Sequence, residues 1–204
     1  MRFREIRMQW RIVVALVVST SVLVIDHYQH IFDYHVFDRL LLCLGIPLLL
    51  VVAVFRESPA KYGFQWGDWK AGLALTIGAC GGIMLVSAII QWPQDFQIYY
   101  AYFSELPVPV ALHVALDFFG WEFFFRGFLL FSLLPVCGPY ALLLQAVPFA
   151  LAHLEKPELE TLSCIFGGTA FGYVAWRTRS FYYPFLIHWY LGTVVLSLAS
   201  RGTS

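Results

Sequence analysis

The chain has 204 residues, of which 60% are hydrophobic and only 13% are charged, about half the charged fraction of a typical soluble domain. Its 13 basic and 13 acidic residues cancel, so the protein offers no basic field for nucleic acid. A soluble domain of this size could not bury so much apolar surface, and the composition also excludes a disordered chain and a disulfide scaffold. The sequence therefore predicts an integral membrane protein.

Long uncharged runs alternate with short clusters of charge along the whole chain. An amphipathic helix at the membrane surface would instead repeat its charges at helical period. Because a span needs about 20 residues, we predict an all-α, polytopic bundle of about seven transmembrane helices in a single membrane domain, 1–204. The predicted spans are 11–26, 40–55, 71–91, 108–134, 140–153, 161–176 and 181–199.

The distribution of basic residues predicts the orientation of this bundle. The first span has the short apolar core of a signal peptide but no small-residue cleavage site, so we interpret it as an anchor. With the N-terminus inside, 9 basic residues lie on the inner side and 3 on the outer side, while Arg126 lies within a span. This asymmetry predicts a cytoplasmic N-terminus. We expect the membrane to be a bacterial inner or plasma membrane.

A polar cluster follows the first predicted span. The spacing of Asp26 and His30 permits a metal ion, or a pH response near the ordinary histidine pKa of about 6.5. We interpret this segment as an interfacial loop and predict no metal or cofactor there. Its other titratable residues are His27, Asp33 and His35.

Two proline-containing segments mark expected breaks farther along the chain. The stretch 135–139 has proline at both ends and a glycine inside, which is typical of a tight connection between helices. Pro148 is expected to kink the fifth span just before His153, which would open space for water in the bundle.

Ionisable side chains at membrane depth are costly, so each is a functional hypothesis by default. Glu122 and Arg126 lie four residues apart, so on a helix they share a face and can pair. Such a pair alone is explained by mutual neutralisation. His153 and His188 on two further spans complete a constellation in which a glutamate activates water with help from a histidine, while a second histidine stabilises the oxyanion.

Three motifs carry a family resemblance. Residues 121–127 (WEFFFRG) resemble the EExxxR motif of the CAAX prenyl protease and bacteriocin-processing (CPBP) intramembrane protease family. Phe149 and His153 match its FxxxH motif, and His188 with Trp189 resembles the start of its HxxxN motif. The motifs occur in family order, and the resemblance covers about 108–199, a protease-like core preceded by three accessory spans over 11–91.

The resemblance implies a glutamic endopeptidase without a metal or cofactor. Its substrate would be a membrane-associated protein or peptide, cut near its C-terminal tail. The implied roles are water activation by Glu122 and His153, oxyanion binding by His188, and orientation or neutralisation of the carboxylate by Arg126.

The chain departs from the family motifs at two positions. Trp121 replaces the first glutamate of EExxxR, the main water-activating group of the prenyl proteases, and Gly192 replaces the asparagine of HxxxN. An oxyanion donor of this kind typically contributes about 2.7–4 kcal/mol. Asp117 lies about 40° from Trp121 around a helix, so it is an alternative source of the missing carboxylate. In that case Asp117→Asn would abolish cleavage.

Two other functions stay open at this point. The first is a catalytically inactive homologue acting as a membrane immunity or transport-associated protein, which the changes at Trp121 and Gly192 favour. The second is a zinc-dependent membrane protease with Glu122, His153 and His188 as ligands. Against zinc, the chain has no HExxH motif, and Arg126 beside a ligand carboxylate would oppose a cation.

Overall fold

The computed structural model describes residues 3–90, 93–101 and 109–199, and these residues form helices and connections without a β-strand. This confirms the all-α class. Helix α2 (His35–Val54) includes π-helical segments at Leu40–Gly45 and Leu50–Val54. A 3₁₀ turn, Pro59–Tyr62, precedes α3 (Trp69–Ile89). The helices of the N-terminal half are α1 (Phe3–Tyr28), α2 (His35–Val54), α3 (Trp69–Ile89) and α4 (Gln94–Ala101).

The C-terminal half begins with one helical run over 110–137. The run is α-helical in α5 (Val110–Glu122), π-helical over Phe123–Leu129, and α-helical again in α6 (Leu130–Cys137). The elements that follow are a 3₁₀ turn (Gly138–Tyr140), α7 (Ala141–Leu144), α8 (Ala146–Leu151), α9 (Glu158–Thr178) and α10 (Tyr182–Ala199).

Four helical stretches are long and apolar enough to cross a membrane. They are Trp10–Tyr28, His35–Val54, Trp69–Ile89 and Val110–Leu151. The fourth has 42 residues, about twice the length of one crossing. A turn at 138–140 divides it and overlaps the predicted connection at 135–139. The last two predicted spans are also helices, α9 and α10, but they are not among these four. The count of seven spans therefore stays a prediction, and two of its predicted ends, 91 and 108, lie outside the described residues.

Exposure of apolar side chains shows why these helices need a bilayer. In α3 only 6% of the apolar stretch is buried within the protein. Its residues Ile77, Met84, Leu85 and Ile89 are 62–73% exposed. Contiguous apolar surface of this kind is unstable in water and stable against lipid chains. The chain is an integral membrane protein.

The core of the molecule surrounds the π-helical segment. All seven residues of this segment are buried, and the side chains of Phe123, Phe124, Phe125 and Phe128 are fully inaccessible. Helix α10 packs on α5, and α9 packs on α8. This arrangement places the polar residues near the junction of α5 and the π-helical segment at the centre of the bundle.

Pro148 interrupts the helix that precedes His153, as the sequence predicts. Because proline has no N–H to donate to the carbonyl four residues earlier, α7 ends at Leu144 and α8 restarts at Ala146. The Gln145 side chain lies at the break and donates to the carbonyl of Gly168 in α9 at 2.7 Å. The break is thereby tied to the neighbouring helix.

The loop before α3 is bound to the connection between α9 and α10. The backbone N–H of Asp68 donates to the Thr178 carbonyl at 2.8 Å, and the Tyr183 hydroxyl donates to the Trp66 carbonyl at 2.8 Å. Gly67 makes the closest approach: its φ is +55°, and a Cβ atom there would lie 1.9 Å from the Thr178 oxygen. Only glycine fits this position without moving the backbone.

We expect Gly67→Ala to destabilise the protein by at least about 1–2 kcal/mol, because alanine strains the left-handed backbone and collides with the Thr178 carbonyl. Thermal unfolding in detergent measures the effect. The matched control is Gly81→Ala in α3, where a Cβ meets nothing within 4 Å and alanine favours the helix. Equal unfolding temperatures for the two variants would contradict this account of the loop.

Candidate active site

Glu122 and His188 meet in the buried core. Glu122 ends α5 and is fully inaccessible, and the Nδ1 atom of His188 in α10 lies 2.6 Å from its Oε1 atom. An ionised carboxylate only accepts hydrogen bonds, so Nδ1 is the donor. The Nη1 atom of Arg126 lies 3.1 Å from the same oxygen. Residues of the first and third motifs are therefore in direct contact.

Aromatic rings surround the buried guanidinium of Arg126. Its central carbon lies 3.9 Å from the ring centroid of Phe149, 5.3 Å from that of Phe171 and 5.6 Å from that of Phe125. Among the described residues, none of its three nitrogens has an aligned hydrogen-bond partner. The charge is balanced by the Glu122 carboxylate and by the negative faces of the rings.

His153 lies in the turn after α8 and is only 4% exposed. Its Nδ1 atom is 2.7 Å from the Phe149 carbonyl oxygen, which can only accept, so Nδ1 carries the proton. Nε2 of the neutral ring is then the atom able to accept a proton. The Thr161 hydroxyl donates to the His153 carbonyl at 2.6 Å and fixes the turn.

Phe149 joins the three motifs. Besides its contact with Arg126, its ring centroid lies 4.5 Å from that of His153 and 6.0 Å from that of His188. The structure therefore places Arg126 and His188 in direct contact with Glu122. His153 is linked to this group through the ring of Phe149, which it contacts. The sequence motif contains Phe149, but its position between both histidines follows only from the packing.

Trp121 fills the position of the missing glutamate and is 3% exposed. The guanidinium of Arg39 lies 4.3 Å from its ring centroid, and Arg39 pairs with Asp117 at 2.7 Å and with Asp26 at 3.6 Å. A carboxylate at 117 is thus bound to a cation from α2, in a cluster separate from the contact between Glu122 and His188. This geometry gives Asp117 a structural role that sequence spacing did not reveal.

Gly192 lies where two helices approach closely. A Cβ atom there would be 2.7 Å from the Phe118 ring and 2.9 Å from a methyl group of Val114. The Phe118 ring in turn lies 4.0 Å from the ring of His188. Sequence analysis missed Phe118, although its position one turn before Glu122 was a usable signal.

We expect that restoring the family's asparagine with Gly192→Asn will destabilise the protein by about 1–3 kcal/mol, because the larger side chain overpacks the contact with Phe118. Thermal unfolding in detergent tests this expectation. Gly167→Asn is the matched control, since a Cβ at this α9 position meets nothing within 4 Å. Unchanged stability in Gly192→Asn would contradict this expectation, because it would show that the Phe118 ring can move aside at little energetic cost.

A cavity of about 590 Å³ lies between α1, α2 and α8 and reaches the site at Trp121. Apolar side chains of Leu23 and Leu151 line it, together with the polar groups of Arg39 and Asp26. Glu122, His153 and His188 are outside its lining. Of the residues in the three motifs, Trp121 lines this cavity, whereas the buried Glu122 carboxylate does not.

Residues 118–194 match the family described as type II CAAX prenyl endopeptidase, Rce1-like. The matched segment contains all three motifs and lies inside the predicted core, 108–199. No curated protein and no solved structure matches the chain. Over residues 118–194, the chain is similar to the Rce1-like type II CAAX prenyl endopeptidase family, which is a family of proteases.

Proposed function

We propose that the protein is an intramembrane endopeptidase of the CAAX prenyl protease type that hydrolyses a peptide bond near the C-terminal tail of a membrane-associated protein. The observation that carries this proposal is the 2.6 Å contact between His188 and Glu122, with Arg126 on the same carboxylate, inside an apolar core. The family match to residues 118–194 supports the reaction class.

The proposed mechanism assigns water activation to Glu122 and His153. The second carboxylate oxygen of Glu122, Oε2, has no hydrogen-bond partner in the part of the chain that the structure describes. It is therefore available to accept a proton from water, while Arg126 lies 3.1 Å from the other carboxylate oxygen. The Nε2 atom of His153 is a second proton acceptor, since its Nδ1 atom is bound to a carbonyl.

The water oxygen forms a bond to the peptide carbon, and the carbonyl oxygen becomes an oxyanion. In its imidazolium form, His188 keeps Nδ1–H on Glu122 and supplies Nε2–H as the donor for this oxyanion. The intermediate then collapses with cleavage of the bond between carbon and nitrogen, and the proton taken from water passes to the leaving amine. A water-poor core strengthens each of these electrostatic contacts.

A catalytically inactive membrane protein with an immunity or transport-associated role is the second candidate. The observation that favours it is that both departures from the motif are built into the packing: Trp121 stacks with Arg39, and Phe118 occupies the space beside Gly192. A zinc protease is less compatible with the geometry, because the Nδ1–H of His188 and the cationic Arg126 both face the oxygen that zinc would need.

Reconstitution in lipid vesicles tests the proposal. Prenylated and unprenylated tail peptides are offered to the wild type and to Glu122→Ala, His153→Ala and His188→Ala. We expect cleavage by the wild type alone, retained in a strong chelator. Equal behaviour of all four proteins would exclude the protease, and loss of activity in the chelator would favour the zinc enzyme.

A further inference from the structure

A second cluster of titratable side chains lies beside the cavity, on the segment that connects α1 and α2. It consists of Asp26 at the end of α1, His30 in the connection, and His35 and Asp38 in the first turns of α2. The proposed peptidase mechanism uses none of these residues.

The two carboxylate oxygens of Asp38 differ in their hydrogen bonds among the described residues: Oδ1 has two partners and Oδ2 has none. Its Oδ1 atom accepts the backbone N–H groups of Ile31 at 3.1 Å and Phe32 at 3.0 Å, which holds the carboxylate in place. The residue is 0% exposed, and Oδ2 has no hydrogen-bond partner among the described residues. The Nδ1 atom of His35 lies 3.6 Å from Oδ2.

The charge of this region is unbalanced. Asp26 and Asp117 both contact Arg39, at 3.6 and 2.7 Å, while Asp38 faces His35. With neutral histidines, three carboxylates therefore accompany one guanidinium. Since a buried carboxylate needs a cation or a proton nearby, the cluster favours one further positive charge.

We propose that His30, His35 and Asp38 bind a divalent transition-metal cation of the zinc class. One ligand atom of each residue lies within 4.8 Å of those of the other two. Metal–ligand bonds of about 2.0–2.2 Å place tetrahedral ligand atoms about 3.3–3.6 Å apart, and the Nδ1–Oδ2 distance of 3.6 Å fits this spacing. His30 is exposed, so its side chain has room to close the remaining distance to the other two ligands.

Asp26 has the position of a carboxylate that orients a metal-binding histidine. Its Oδ1 atom, buried and without a hydrogen-bond partner among the residues described, lies 3.9 Å from Nε2 of His35, the ring nitrogen opposite Nδ1. A small rotation of the ring lets Nε2–H donate to Asp26 while Nδ1 binds the cation. Carboxylate–histidine–metal arrangements of this kind fix the tautomer and strengthen the ligand.

The cation's class follows from the ligand types. Two imidazoles and a carboxylate suit zinc and neighbouring first-row metals, whereas magnesium and calcium prefer oxygen ligands alone. The site is distinct from the proposed catalytic residues, so its occupancy can be measured without any peptidase assay.

Zinc binding to the tag-free, full-length protein in detergent tests the proposal, with a chromophoric chelator as competitor and excess Mg²⁺ present. We expect one equivalent of Zn²⁺ on the wild type, and at least about tenfold weaker binding in His30→Ala, His35→Ala and Asp38→Asn. Asp26→Asn is expected to weaken binding by about 10–100-fold, as for other groups that orient a ligand. His27→Ala is the matched control, because His27 lines the same cavity but is outside the ligand set.

The exposed His30 gives the sharpest variant, since its removal leaves the buried contacts of Asp38 intact. Zinc should raise the unfolding temperature of the wild type and of His27→Ala but not that of His30→Ala. The proposal is overturned if the wild type binds no zinc more tightly than millimolar, or if His30→Ala and His27→Ala bind it equally. Absence of peptidase activity would leave this result unaffected and would count only against the proposed protease.

Discussion

Replacing Glu122 with glutamine is expected to reduce peptide cleavage by at least about 100-fold while the protein still folds. Glutamine keeps the size of the side chain and an oxygen for the Nδ1–H of His188, but it cannot take a proton from water. General-base catalysis typically contributes about 10²–10⁴-fold, which sets the scale of the loss. Initial cleavage rates of a tail peptide in vesicles measure it.

Two carboxylate variants serve as controls for this experiment. Glu158→Gln removes an exposed carboxylate at the start of α9, so its rate should equal that of the wild type. Asp117→Asn tests the alternative base: its contact with Arg39 predicts a small effect on the rate. Loss of cleavage in Asp117→Asn with retention in Glu122→Gln would transfer the catalytic role to Asp117.

Removing Arg126 is expected to have the largest effect on stability. Arg126→Met leaves the fully buried Glu122 carboxylate without its cation, and breaking a buried pair in this way costs about 3–5 kcal/mol. The double variant Glu122→Met/Arg126→Met should recover most of that stability, because it leaves no unpaired buried charge. It should not recover cleavage. Chemical unfolding in detergent and the vesicle assay together separate the two roles.

The double variant also distinguishes the ion pair from the aromatic contacts. Arg126 lies 3.9 Å from the centroid of the Phe149 ring, so part of its stabilisation comes from this contact. If the double variant is as unstable as Arg126→Met, the aromatic contacts rather than the pair with Glu122 determine the stability. Recovery of cleavage in the double variant would contradict the proposed mechanism.

Local sequence patterns predicted the features that depend on neighbouring residues. The four-residue spacing of Glu122 and Arg126 predicted their pairing, and Pro148 predicted the break in the helix before His153. The contact between Glu122 and His188 joins residues 66 positions apart, and it exists because α10 packs on α5. The sequence suggested that these residues act together but could not give their distance.

Packing also determined what the two departures from the motif mean. Nothing near Trp121 in the chain indicates that Arg39 of α2 lies over its ring, and this contact occupies the place of a second carboxylate. Likewise, the sequence comparison shows only that Gly192 lacks the asparagine side chain that would donate to an oxyanion. In the fold, the absence of a side chain at Gly192 permits Phe118 to lie against His188. Both are contacts between distant elements, which helical periodicity does not encode.

The position of Phe149 has a consequence for how this protein can change over evolutionary time. Its ring contacts Arg126, His153 and His188, so each of the three motifs shares one neighbour with the other two. Substitutions in separate motifs should therefore be epistatic: a change tolerated in one background will be harmful in another. Double-mutant cycles between Arg126 and His188 should become more nearly additive when Phe149 is replaced by leucine.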